Sequence, residues 1–279
     1  MKVRFGACCV VGAGMLLASF AQQTKPGASS EYPTPEVREE QTVVVDGRAE
    51  VWRLQWAAPP KPVCPPSDSS LTCPCTGFAF GEGGDLVLTR SRAGMEVDRL
   101  PITPFFDVEF PAQGRLAIVQ RWLPNYTPDS EDWQYPPVEG YLDLVSKRPV
   151  VQLMHFADYE HNGAPNEFYL QTTSLPCGKS AGVVIGVSRK SPRLHAVGTA
   201  PRPDRPLYLK KDEWEALRDA SGPVDVLDWA CGDHGADTET TVHLHWSADG
   251  VDGTRREYTC PVGGAARRLI REEALSAKQ

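Results

Sequence analysis

Beyond its first twenty residues the chain has no apolar run long enough to cross a bilayer; a spanning helix takes about 20 consecutive apolar residues. It is short of positive charge, with 29 Lys and Arg against 36 Asp and Glu and a net charge of −7. Nucleic-acid binders carry a basic footprint, so that class of partner is set aside. The Gly-x-Ser-x-Gly elbow of serine hydrolases is missing, because Gly186-Val-Ser188-Arg-Lys190 lacks the second glycine. A phosphate loop is missing as well. Gly178-Lys179-Ser180 ends like one, but Thr173 stands where its first glycine belongs. Gly81-Glu82-Gly83-Gly84 is followed by no helical period and reads as a hairpin turn.

What is present begins with an export signal. Lys2 and Arg4 precede an apolar stretch over 5–20, and Ser19-Phe20-Ala21 places small residues at the positions a signal peptidase inspects. Residues 1–21 are expected to be a secretory signal peptide, and the location secreted or periplasmic. Cys8 and Cys9 come too early to be a lipidation site. Removing 1–21 from 279 residues leaves 258, with 27 basic residues against 36 acidic. That is ample for a large core.

Six of the eight cysteines remain: Cys64, Cys73, Cys75, Cys177, Cys231 and Cys260. In an oxidising compartment they read as three disulfides, although six cysteines allow about fifteen connectivities. Cys231 with Cys260, and Cys64 with Cys73 or Cys75, are the expected pairs, leaving Cys177 to join early and middle parts of the chain. A zinc site at Cys64, Cys73 and Cys75 fits no common spacing.

Short alternating strands punctuated by Gly, Pro and Asn predict a mainly β fold, an antiparallel β-sandwich or propeller-like sheets. Residues 22–41 read as a flexible lead and 42–122 as an N-terminal β subdomain. Residues 123–137, with four prolines, read as a linker or long loop. A C-terminal β subdomain follows over 138–262. Asp212-Glu-Trp-Glu215 has the form of a capping box and predicts one short helix, stopped by Gly222-Pro223. The tail, 263–279, places Ala266, Leu269, Ile270 and Ala274 on one face of a candidate C-terminal helix. The run 182–188 is continuously apolar, as expected for a strand buried on both faces.

The most informative stretch is 155–170. Asn162-Gly163 lies between apolar runs, 150–156 and 168–172, predicting two strands joined by a turn. Oxygen-bearing residues recur inside the turn. Asp158, Glu160 and Asn162 stand at positions one, three and five, and Gly163 at six. Ala164 offers a carbonyl at seven, and Asn166 and Glu167 follow at nine and ten. Calcium takes six to eight hard oxygen ligands, and a glycine at six permits the bend. Over these dozen residues, 157–168, the chain resembles the calcium loop of integrin-type propeller repeats (FG-GAP or VCBS) and, more distantly, that of dockerins. It departs from them in having Glu160 at three and the neutral Asn166 at nine. The resemblance implies a structural calcium ion; the other reading is a solvated polar turn.

Other constellations were weighed for catalysis. His243 and His245 alternate on one strand and face one side, so they could share a metal with His155 or His234. The alternative is a solvated strand face. Asp129, Glu131 and Asp132 read as a solvated charge run. Seven tryptophans mostly fall on apolar faces, with Trp133 the candidate exposed contact. The leading expectation is an exported, disulfide-stapled, calcium-stabilised binding or interaction protein whose partner is a protein or carbohydrate. An exported metal-dependent hydrolase and a structural envelope protein are the alternatives.

Overall fold

The computed structural model describes residues 34–276 apart from 65–77, 79, 108, 111–113, 126, 128, 134–138, 176–178, 189, 262 and 264–265. The expected signal peptide over 1–21, Cys73, Cys75, Cys177 and the side chain of Trp133 lie outside the described residues. Strands β1 (Glu36–Val45) and β2 (Arg48–Trp56) form an antiparallel hairpin. Asp46 and Gly47 turn it with φ of 49° and 72°, the left-handed pair a tight hairpin needs. β1 starts at Glu36, inside the stretch read as a lead. β2 buries Glu50, Trp52, Leu54 and Trp56 on alternate positions, so its face is fixed by period 2.

The chain continues through β3 (Lys61–Val63), β4 (Gly81–Gly84), β5 (Leu86–Arg92), β6 (Met95–Pro101), β7 (Glu109–Phe110), β8 (Gly114–Arg115) and β9 (Ala117–Gln120). A single-turn helix, α1 (Tyr141–Val145), stands where 140–145 reads as a strand. Next come β10 (Phe156–Ala157), β11 (Glu167–Ser174), β12 (Ser180–Gly186), β13 (His195–Ala196) and β14 (Leu209–Lys210). After α2 (Lys211–Asp219) the chain ends in β15 (Val224–Trp229), β16 (Thr238–Ser247), β17 (Gly250–Thr259) and β18 (Leu269–Ala274). The sheets have orders β1-β2-β5-β6, β3-β4-β9, β10-β11-β12-β13 with β14 also on β12, and β15-β16-β17-β18, plus a β7-β8 ribbon. Every strand pair in them is antiparallel, so the fold is mainly β and sandwich-like.

The first sheet and the β10–β14 sheet share one core. Trp52, Leu54, Trp56, Leu86 and Leu88 from one meet Phe168, Leu170, Val183 and Ile185 from the other. On the far side of β12, Val184 packs with Trp214 and Leu217 of α2 and with Val242, Leu244 and Val251 of the last sheet. The run 182–188 is therefore buried on both faces, as its composition predicts. Each fully buried Leu, Ile or Phe contributes roughly 1.5–3 kcal/mol. The described residues form one compact unit.

Gly81–Gly84, read as a hairpin turn, is strand β4 between β3 and β9, and three further local expectations fail. Leu269–Ala274 is a strand on the edge of the last sheet, paired with β17, and not a helix. All six of its residues are exposed, so no helical face is anchored and main-chain pairing with β17 decides. Of 150–156 only Phe156 enters a ladder. Side chains of β1 satisfy much of the preceding main chain instead. The Glu39 carboxylate accepts the N–H groups of Leu153 and Met154, Arg38 donates to the Val151 carbonyl and Gln41 to that of Met154. The cap of α2 is shifted two residues: Lys210 is the N-cap, and its N–H donates to Glu213 at 2.7 Å.

Candidate functional site

The central stretch forms a closed loop between β10 and β11. The Asp158 carboxylate accepts the N–H groups of Asn162 at 2.9 Å and Gly163 at 2.8 Å, and the Asn162 side-chain oxygen accepts that of Ala164 at 2.8 Å. Gly163 has φ of 86° and His161 of 53°, as the turn demands. The His161 ring meets the Leu217 carbonyl at 2.9 Å, tying the loop to the end of α2.

Glu167 lies at the end of the loop, first in β11, and is 1% exposed. One carboxylate oxygen accepts the Tyr159 N–H at 3.1 Å, and the Asn166 amide, correctly oriented, donates to the other. Gly186 stands opposite in β12. A Cβ there would lie 2.6 Å from Glu167 Cγ, so only glycine leaves room for the carboxylate's stem. Burial pushes the Glu167 acid up to about 8, helped by the neighbouring charges of Glu160 and Asp158. Burial also raises Glu160, with Asp158 adding to it. Among the described residues none of these three carboxylates is in an ion pair with Lys or Arg.

The candidate ligands are thus neighbours in one loop, and they are all oxygen donors, the chemistry calcium prefers. They are not gathered round a vacant centre. Among the described residues no three His, Cys, Asp or Glu side chains are grouped to hold a metal as they stand. Asp158 closes the turn, the Asn162 side chain caps it, and Asn166 turns inward to Glu167.

Three cavities border the loop. One of about 360 Å³ is walled by Tyr159, Tyr169, His155 and the α2 residues Lys211, Glu215 and Arg218. A second, of about 660 Å³, is lined by Glu160, Asn162, His195 and Trp246. A third, of about 290 Å³, lies between Asn162, Gly163 and the Asp46-Gly47 turn.

His243 and His245 are neighbours on the outer face of the last sheet, ring centroids 6.2 Å apart. Each has its own carboxylate. His243 Nδ1 is 3.0 Å from Asp225, and His245 Nε2 is 3.6 Å from Asp252. His234 stacks on Trp229 and His155 borders the cavity of about 360 Å³, so each has its own surroundings. Asp132 is buried rather than solvated: it pairs with Arg148 at 2.7 Å and accepts the Tyr141 hydroxyl at 2.9 Å. Most tryptophans do pack inward; Trp52, Trp56 and Trp214 are fully buried. Cys231 and Cys260 form a disulfide, and Cys64 is disulfide-bonded too.

The cavity walls were not legible in the sequence. Glu160, His195 and Trp246 lie far apart along the chain, with no motif linking them; only the loop residues carried a signal. Compared with known proteins, the chain matches no family model, no curated protein and no solved structure.

Proposed function

We propose that this chain is an exported, disulfide-stapled β-rich binding protein, and that the loop over 157–168 takes up a calcium ion that stiffens the surface around it. The observation that carries this reading is the group of carboxylates at Asp158, Glu160 and Glu167, one of them almost fully buried, with no cation paired to them among the described residues. A divalent ion compensates such charge. Asp158, Glu160 and Glu167, with the oxygens of Asn162, Ala164 and Asn166, supply the hard donors. The turn is closed by its own hydrogen bonds, so the ion's role is to neutralise and tighten. The apolar N-terminal stretch supports export, and the disulfide suits an oxidising compartment.

The test is thermal unfolding of oxidised residues 22–279 in EDTA and in millimolar calcium, on the wild type and on Glu160→Gln. Modules of this kind bind as weakly as about 10⁻⁴–10⁻³ M, so the concentration must be high. Glu160 is chosen because Asp158 also holds the turn. A calcium-dependent rise in melting temperature, diminished in Glu160→Gln, supports the reading. A wild type indifferent to calcium sinks the ion and leaves a self-closed turn.

A further inference from the structure

We propose that the cleft of about 660 Å³ between the central loop and the last sheet binds a neutral, polyhydroxylated ligand of saccharide type; this rests on the binding role proposed above and gives it a ligand class. The volume is that of a small-molecule site. Trp246 forms one wall, and its ring lies against the buried Trp214 with centroids 6.4 Å apart, so the indole has a fixed backing. A flat indole face can bury the C–H face of a sugar ring.

The polar groups round that wall include the carboxylates of Glu160, Asp204 and Asp249 as acceptors, beside the Ser188, Ser191 and Ser247 hydroxyls, which both donate and accept. His195 Nδ1 lies 2.9 Å from the Arg193 carbonyl, which can only accept; the neutral ring therefore carries its proton on Nδ1 and leaves Nε2 as an acceptor. The Glu160 carboxylate meets the Asn162 amide at 3.4 Å, a long contact that leaves it capacity. Asp204 is exposed at the rim. Lys190, the one Lys or Arg among the described lining residues, is paired with Asp249.

These features select by exclusion. An anion meets carboxylates and finds its cation already engaged. A lipid tail meets too many polar groups for one aromatic wall. A ligand rich in hydroxyl donors, with one apolar face, satisfies both the acceptors and the indole.

The experiment is saturation-transfer NMR and calorimetric titration of oxidised residues 22–279 with cellobiose, maltose and N,N′-diacetylchitobiose at millimolar concentration. Spermidine serves as a donor-rich cation, and each titration is run in EDTA and in calcium. We expect at least one disaccharide to bind, and Asp204→Ala and Glu160→Gln each to weaken it roughly tenfold, as loss of a charged hydrogen-bond partner does. Asp204→Ala should leave the melting temperature unchanged, since the residue is exposed. The proposal is overturned if no disaccharide binds, if binding is indifferent to both substitutions, or if spermidine binds in preference. Disaccharide binding in EDTA upholds the cleft even where calcium leaves the melt unmoved. A calcium-raised melt with no disaccharide bound overturns the ligand class and leaves the loop reading standing.

Discussion

Glu167 accepts the main-chain N–H of Tyr159 at 3.1 Å, and so a nearly inaccessible carboxylate holds the far side of the central loop in place. Gly186 opposite it keeps the space open. The same burial that fixes the loop makes the ionised form of Glu167 unfavourable.

That conflict gives a pH dependence. Glu167 is lifted from 4.5 to about 8 in the folded chain. Between those values the folded state keeps a proton that the unfolded state has released. This group's contribution is therefore fully present below 4.5 and is lost as pH rises through 8. In EDTA, Glu167→Gln should melt higher than the wild type above pH 8 and show little difference near 4.5. Melting curves across that range check it. A wild type that becomes more stable as pH rises through the window, with the variant tracking it, would show the assignment to be wrong.

Glu50 and Arg90 form a second buried pair, with contacts of 2.8 and 3.0 Å, and Arg92 joins them. Burial pushes the Glu50 acid up, but the hydrogen bonds and charges of the two arginines hold it below its ordinary value. Removing Glu50 takes from the buried Arg90 its two short contacts and leaves it the Pro192 carbonyl at 2.6 Å and Asp98 at 3.9 Å. Glu50→Ala should cost roughly 3–5 kcal/mol in urea unfolding. The double variant Glu50→Leu, Arg90→Met should recover most of that loss; a double-variant loss equal to the sum of the Glu50→Leu and Arg90→Met losses would show that the pair is not coupled.

Trp214 is the keystone of α2. It is fully buried, and its Nε1–H donates to the Gly182 carbonyl at 3.1 Å. Trp214→Ala should lower stability by roughly 3–5 kcal/mol. Trp214→Phe should lose less, about 1–3 kcal/mol, for the carbonyl left without its donor. Chemical denaturation of both variants separates packing from the hydrogen bond.

The Cys231–Cys260 bridge joins residues 29 apart in sequence, and the loop it closes holds all of β16 and β17. Cys231→Ser with Cys260→Ser should destabilise by about 2–4 kcal/mol. Amide exchange should rise first at the ends of β15 and β17 nearest the bridge. Unchanged exchange there would show that the ladder alone holds the sheet.

The sequence by itself determined the elements whose signal is local. Period-2 burial fixed β2. Asp46-Gly47 fixed its hairpin, because few residues tolerate positive φ at both positions. The apolar run over 182–188 foretold a strand covered on both sides; the cysteines left the connectivity open, and Cys231 with Cys260, one of the expected pairs, is the bond formed. The tertiary structure decided what depends on distant partners. Glu39 satisfies the amides of Leu153 and Met154 across more than a hundred residues, so 150–155 needs no ladder. β17 draws the tail into a strand, because an exposed helix with no docking face has nothing to hold it. The cleft beside Trp246 draws its walls from three separate regions of the chain, and no local pattern can encode a meeting of residues so far apart. Asp132, set among prolines and acids, read as solvated; Arg148 and Tyr141, brought over it by the fold, join the nearby Asn125 N–H in satisfying its buried carboxylate.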